Sequence, residues 1–189
     1  MINNIPFENF PTLETERLLL RKFRLNDASA ILSIRSDEQV MKYMDTEWHK
    51  NIPNSENFIA KNLESYEKKE GIFWAIVAKE NKEFLGDFAF WKIDKKNSRA
   101  EIGYTLKPKF WRKGYMKEAI IAIIGFGFNN LQLHSLEANV NPKNNNSSEL
   151  LKNIGFRKEA YFRENYFYNG TYLDSEIFSL LETDFKYCI

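Results

Sequence analysis

The sequence predicts an α+β fold: a mixed, mostly antiparallel sheet with one parallel crossover and about four helices. Three observations carry that prediction. Strand-like apolar runs in the middle of the chain are joined by short polar connectors, as antiparallel hairpins require. A long helical run lies between two strand-like runs, the arrangement of a parallel crossover. The 189 residues are 43% hydrophobic and 15% aromatic, which suits one sizeable core and predicts a single domain over 1–189.

The elements follow in order. "ERLLLRKF" (16–23) reads as a first strand, and Asn26 and Asp27 offer a cap to a helix with Ala30, Ile31 and Ile34 at helical spacing. A second helix is expected over 54–69, with Phe58, Ile59, Leu63 and Tyr66 on one face and Gly71 ending it. Strands are expected over 72–79, 84–93 and 100–106, where Gly86 and Gly103 suggest bulges or close backbone approach. Past Pro108 a helix is expected over 114–130, then a strand over 135–141. A further helix, 144–154, stops at Gly155, with Phe156 placed for an apolar clasp. Asn169-Gly170 is a hairpin turn signal near the end of the chain.

Composition narrows the function classes. The net charge is +1, so no overall field favours nucleic acid or a membrane. One cysteine, Cys188, gives no disulfide framework, and His49 and His134 lack metal-ligand spacing. No metal is expected. "MINNIPFENFPT" does not read as a signal peptide, and no run of about 18 apolar residues appears. A soluble, cytoplasmic protein is the expectation.

The chemistry concentrates in "KFWRKGYMKEA" (109–119). Lys107, Lys109, Arg112, Lys113 and Lys117 precede any acid, which first appears at Glu118. A helix start leaves amide N–H groups unpaired and carries about half a positive charge. Glycine lets that backbone approach a ligand or take a positive φ. Together these make a phosphate site. The plain alternative is a turn with a solvated basic rim, but cations at a helix start are unfavourable unless an anion binds. The stretch is not a Walker A loop, and "GFGFNN" (125–130) lies at the wrong end of its helix for a dinucleotide fingerprint.

With "TERLLLRKF", "AEIGYTLKPKFWRKGYMKEA", "NPKNNNSSELLKNIGF" and "DSEIFSLLETDF" in that order, the chain resembles the GNAT acetyltransferases, in their Rim-type (ribosomal-protein N-terminal acetyltransferase) branch. The resemblance implies an α/β/α layered fold in which two parallel strands splay to admit the pantetheine arm of acetyl-CoA. It implies an acetyl-CoA-dependent N-acetyltransferase acting on a primary amine, with a protein N-terminus or a small molecule as acceptor. A non-catalytic acyl-CoA sensor of the same fold is the alternative. The implied cofactor contacts are Tyr104, Leu106, Arg112, Lys113, Gly114, Tyr115, Met116, Lys117 and Asn144. Trp111 stands where many members have Gln or Arg, and Met116 where Gly or Ala is usual. Leu151 occupies the position of a common tyrosine acid, so Ser147 is the implied proton donor to the leaving thiolate. Glu101 matches an acidic position suited to deprotonating or orienting the amine; the plain alternative is an exposed strand glutamate. Asp45 and Glu47 lie where the family shapes its acceptor site. A monomer or homodimer is expected, with no nucleic-acid partner.

Overall fold

The computed structural model describes residues 7–186; Cys188 and the first six residues lie outside the described residues. The chain runs β1 (Leu13–Glu14), β2 (Leu18–Lys22), α1 (Ala28–Arg35), α2 (Glu38–Met41), α3 (Ile52–Glu67), β3 (Ile72–Ala78), β4 (Phe84–Asp94) and β5 (Arg99–Leu106). It continues with α4 (Tyr115–Asn129), β6 (Ser135–Val140), α5 (Asn145–Ile154), β7 (Arg157–Tyr168) and β8 (Thr171–Leu181). The eight strands form one sheet in the order β1-β2-β3-β4-β5-β6-β8-β7. The described residues hold five α-helices rather than about four. The additional one, α2, is four residues long, too short to show a period; Asp37 caps it by accepting from the Gln39 and Val40 amides.

Two cores make the layers. On β3, Ile72, Trp74 and Ile76 face a large core shared with α4 and α5, while Ala75 and Val77 face a smaller one shared with α1 and α3. A strand covered on both faces reads as a continuous apolar run, as "IFWAIVA" does. The second helix begins two residues earlier than its periodicity predicts, because Asn51 serves as its cap and Pro53 sits in its first turn. Gly155 takes φ 115° and Phe156 is buried, so α5 ends as expected. Asn169 and Gly170 both have positive φ, and the strands pair immediately beyond them.

Two features of the sheet position the site. In β4, the register against β3 shifts so that Leu85 is an extra residue. Beside it, a Cβ on Gly86 would lie 2.1 Å from the Thr105 carbonyl oxygen, so this close approach admits only glycine. At Gly103 the same test gives ordinary contact with Trp91, and no close approach exists there. The second feature is the parallel pair. The parallel ladder of β5 and β6 runs through Arg99–Ser135, Ala100–Leu136 and Glu101–Glu137. β5 then continues along β4 to Leu106, while β6 continues along β8 to Val140. The facing edges therefore part beyond Glu101 and leave backbone groups without strand partners.

Candidate active site

The segment between β5 and α4 is shaped by its own side chains. The Trp111 indole N–H donates to the Leu106 carbonyl at 2.6 Å, tying the turn back to the end of β5. Arg112 has φ 59° and Gly114 φ 80°. A non-glycine residue held in the left-handed region costs on the order of 1–3 kcal/mol and tends to occur at functional sites. Gly114 is the N-cap of α4, and among the described residues no side chain caps the helix. The first helical bond is from the Glu118 amide to the Gly114 carbonyl, at 3.0 Å. The amides of Tyr115, Met116 and Lys117 precede it and point out of the helix end. Gly114, Arg112, Lys113 and Lys117 are exposed around them.

The basic rim is less uniform than its sequence. Lys109 is bonded to Glu83, across from β4. Lys107 is partly buried, and burial pushes its pKa down, opposed by Glu83 and aided by Lys109. The cations left facing solvent beside the helix start are Arg112, Lys113 and Lys117. The Met116 side chain is 7% exposed and belongs to the large core. It points away from the helix mouth, so its size does not obstruct the amides.

A brace from the start of the chain holds this end of α4, and sequence reasoning missed it. Glu118 accepts from the Thr15 hydroxyl at 2.5 Å, the Arg17 amide at 2.9 Å and the Arg17 side chain at 2.6 Å. Burial pushes the Glu118 carboxyl up, but these bonds together outweigh it and leave its pKa lowered. Arg17 also donates to the Lys113 carbonyl at 3.0 Å and lies over the Tyr115 ring, 4.3 Å from its centroid. The sequence signal was a lone acid in a basic helix start, and its partners lie about 100 residues away. Beside this brace, Thr15, Glu16, Gly114, Lys117, Glu118, Ile121 and Ala122 line a shallow groove on the β1 side of α4.

The parted strands bring together other predicted residues. Tyr104, on β5, and Ser147, in the first turn of α5, are joined hydroxyl to hydroxyl at 2.7 Å. Tyr104 stacks on Phe88, with 6.1 Å between centroids and 7° between planes. Burial, opposed by the Ser147 bond, pushes the Tyr104 pKa up to about 12. Asn144 caps α5, accepting from the Ser147 amide at 3.2 Å. Leu151 is fully buried in the large core. Glu101 is at the last parallel pair, where the parting begins; its carboxylate, 13% exposed, is 2.9 Å from the Lys92 ammonium. Strand alternation sets Glu101 on the α1–α3 face of β5 and Tyr104 on the α4–α5 face.

On the α1–α3 face, Asp87 of β4 is buried and accepts from the Thr105 hydroxyl at 2.5 Å. Arg35, at the end of α1, lies 3.7 Å from it. Burial raises the Asp87 pKa against the pull of Arg35 and Thr105. The Arg35 carbonyl accepts from the His49 amide, in the loop between α2 and α3. That loop is also tied to the β7–β8 hairpin: Tyr166 donates to Asp45, and Tyr168 donates to the Thr46 carbonyl at 2.7 Å. Asp45 is thus engaged by a tyrosine, which the sequence did not indicate. Trp48 and Trp91 remain substantially exposed on this side. Among the described residues no group of His, Cys, Asp and Glu has the arrangement of a metal site, and no helix is long and apolar enough to cross a membrane.

An uncapped helix start with backbone in the left-handed region and three exposed cations suits a diphosphate. The gap beyond Glu101 suits an extended arm. These residues fit acetyl-CoA. Comparison with known proteins agrees at the level of the family. Residues 17–157 match the model of the acetyltransferase (GNAT) domain. The chain is 36% identical over 173 residues to the uncharacterized N-acetyltransferase YoaA of Bacillus subtilis (strain 168), covering 92% of this chain and 98% of that protein. It is 27% identical over 122 residues to the [ribosomal protein uS5]-alanine N-acetyltransferase of Escherichia coli (strain K12), covering 64% of this chain and 63% of that one. The crystal structure of a GNAT-family acetyltransferase from Bacillus anthracis superposes with a TM-score of 0.82 at 29% identity, covering 92% and 99% of the two chains. The chain belongs to the GNAT acetyltransferase family and is an N-acetyltransferase.

Proposed function

We propose that this GNAT acetyltransferase transfers the acetyl group of acetyl-CoA directly to a primary amine, and that the amine is a protein or peptide N-terminus. The observation that carries the cofactor reading is the open N-terminus of α4 beside strands that part. In this reading the amides of Lys113 to Lys117 bond the diphosphate, with Arg112, Lys113 and Lys117 adding charge. Each hydrogen bond to a charged oxygen contributes roughly 1.5–3 kcal/mol. Tyr104, Leu106 and Asn144 line the pantetheine path.

Glu101 faces the α1–α3 side and Ser147 the α4–α5 side, so a thioester in the gap meets one from each direction. Glu101 takes a proton from the incoming ammonium, directly or through water, or orients the amine. An unpaired amide of β5 between Glu101 and Leu106 donates to the thioester carbonyl as charge develops there. Ser147 donates to the departing sulfur. Holding both substrates in one gap lowers the barrier by several kcal/mol in its own right, on the order of what orientation alone supplies in intramolecular reactions. The similarity to an alanine N-acetyltransferase supports the peptide acceptor, as does the exposed Trp91, paired with Glu101 across β4 and β5.

The test is release of free CoA thiol from acetyl-CoA in the presence of peptides beginning with alanine or serine, spermidine, and free amino acids. The proposal expects amine-dependent release, fastest with the peptides. Release with spermidine or amino acids alone would move the acceptor to small molecules. CoA bound without release by any of these amines would contradict direct transfer to them.

A further inference from the structure

Tyr104 and Ser147 form a two-hydroxyl unit that links β5, beyond its parting from β6, to the start of α5. Their oxygens are 2.7 Å apart, one on β5 and the other on the first turn of α5. Two hydroxyls carry two hydrogens, and their mutual bond uses one. One O–H is therefore left for an acceptor in the gap. A phenol is the stronger donor of the two, so the favoured arrangement has Tyr104 donating and the Ser147 hydrogen free. Both ends are fixed. The Tyr104 ring is stacked on the fully buried Phe88, and the Ser147 amide is held by Asn144.

We propose that Tyr104 is a positioning residue for the transfer: it aims the Ser147 hydroxyl at the sulfur of the departing CoA. The proposal rests on the acetyl-CoA reading above. In the step, the amine nitrogen forms the C–N bond and the C–S electron pair goes to sulfur. The proton shed by nitrogen is the one that finally neutralises sulfur. Ser147 contributes a hydrogen bond, and Tyr104 keeps its proton throughout, as a phenol does at neutral pH. No further reactant is needed. Leu151, one turn along α5, offers no hydroxyl that would make the pair redundant.

A hydrogen bond to the thiolate lowers the pKa of a bound thiol, which can be read without any acceptor. The experiment titrates the thiol of CoA bound to the native protein and to Tyr104→Phe, Ser147→Ala, Ser147→Thr and the double variant Tyr104→Phe/Ser147→Ala, following thiolate absorbance. The expected result is a bound thiol titrating lower in the native protein. Tyr104→Phe and Ser147→Ala each raise it by roughly one unit. The double variant raises it no further, because the two hydroxyls act as a unit, and Ser147→Thr keeps the native value. Tyr104→Phe preserves the stacked ring, and Ser147→Ala tests the same bond from a half-exposed helical position should the first variant not fold. An unchanged thiol pKa in CoA-bound Ser147→Ala would overturn the proposal while leaving acetyl-CoA binding intact. A native protein that does not bind CoA would overturn both.

Discussion

His49 is held neutral by its surroundings. Burial lowers its pKa, the Arg35 charge lowers it further, and the value falls to about 4. Its Nδ1 is 2.9 Å from the Ser55 hydroxyl, and its ring meets Phe58 edge-on. An unfolded histidine binds its proton near pH 6.5, so between that pH and 4 the unfolded state holds more protons than the folded one. His49 therefore contributes stability that is complete above about pH 6.5 and is lost as pH falls towards 4. The ring is half-exposed, so solvent screening trims the effect. Thermal melts at pH 7 and pH 5 should show the native protein losing about 2–4 °C more than His49→Gln. Asp87, whose raised pKa acts in the opposite direction, is common to both proteins and cancels. Equal losses would remove His49 from the account. Single residues also show where sequence reading stops. The position of Met116 in a helix start was legible; that its side chain enters the core depends on the helix phase against the sheet. Lys109 read as one of five cations, and its partner Glu83 comes from the connector between β3 and β4.

At the scale of elements, the decisive unit is α4 with the turn before it. The apolar run, the glycine and the cations made this helix start readable from sequence. The brace by Thr15 and Arg17 was not readable, because Glu118 looks like an ordinary first-turn acid until β1 and β2 are placed beside it. The same limit hid α2, whose four residues span barely a turn. The left-handed Gly114 yields the sharpest prediction here. A side chain at φ 80° is strained by about 1–2 kcal/mol, and its Cβ would lie 3.3 Å from the Arg17 guanidinium. In Gly114→Glu a carboxylate also enters the space offered to the diphosphate. Calorimetry should show acetyl-CoA affinity falling by about a hundredfold or more, two hydrogen bonds' worth at the charged-group scale, with the fold retained by circular dichroism. Unchanged affinity would mean the cofactor does not use this turn.

At the scale of the molecule, the order of strands and helices was readable because turn signals punctuate the chain. The parting of β5 and β6 came from family resemblance, since no local pattern says where two parallel strands stop pairing. The structure locates it: three paired residues, then a parting that begins at Glu101, with Tyr104 farther along β5 bonded to Ser147 of α5. Contacts between distant segments close the other side. The β7–β8 hairpin reaches the α2–α3 loop through Tyr166 and Tyr168, and Arg35 joins that loop to β4. β5 thus sets Tyr104 on the face it shares with α4 and α5, and Glu101 on the opposite face. In the proposed function the first turn of α4 holds the diphosphate of acetyl-CoA. The most direct measurement of that contact is the backbone amide spectrum of isotopically labelled protein during titration with acetyl-CoA. Large downfield proton shifts are expected at Lys113 to Lys117 as those amides acquire charged acceptors. Binding that leaves these five amides in place while others shift would contradict it.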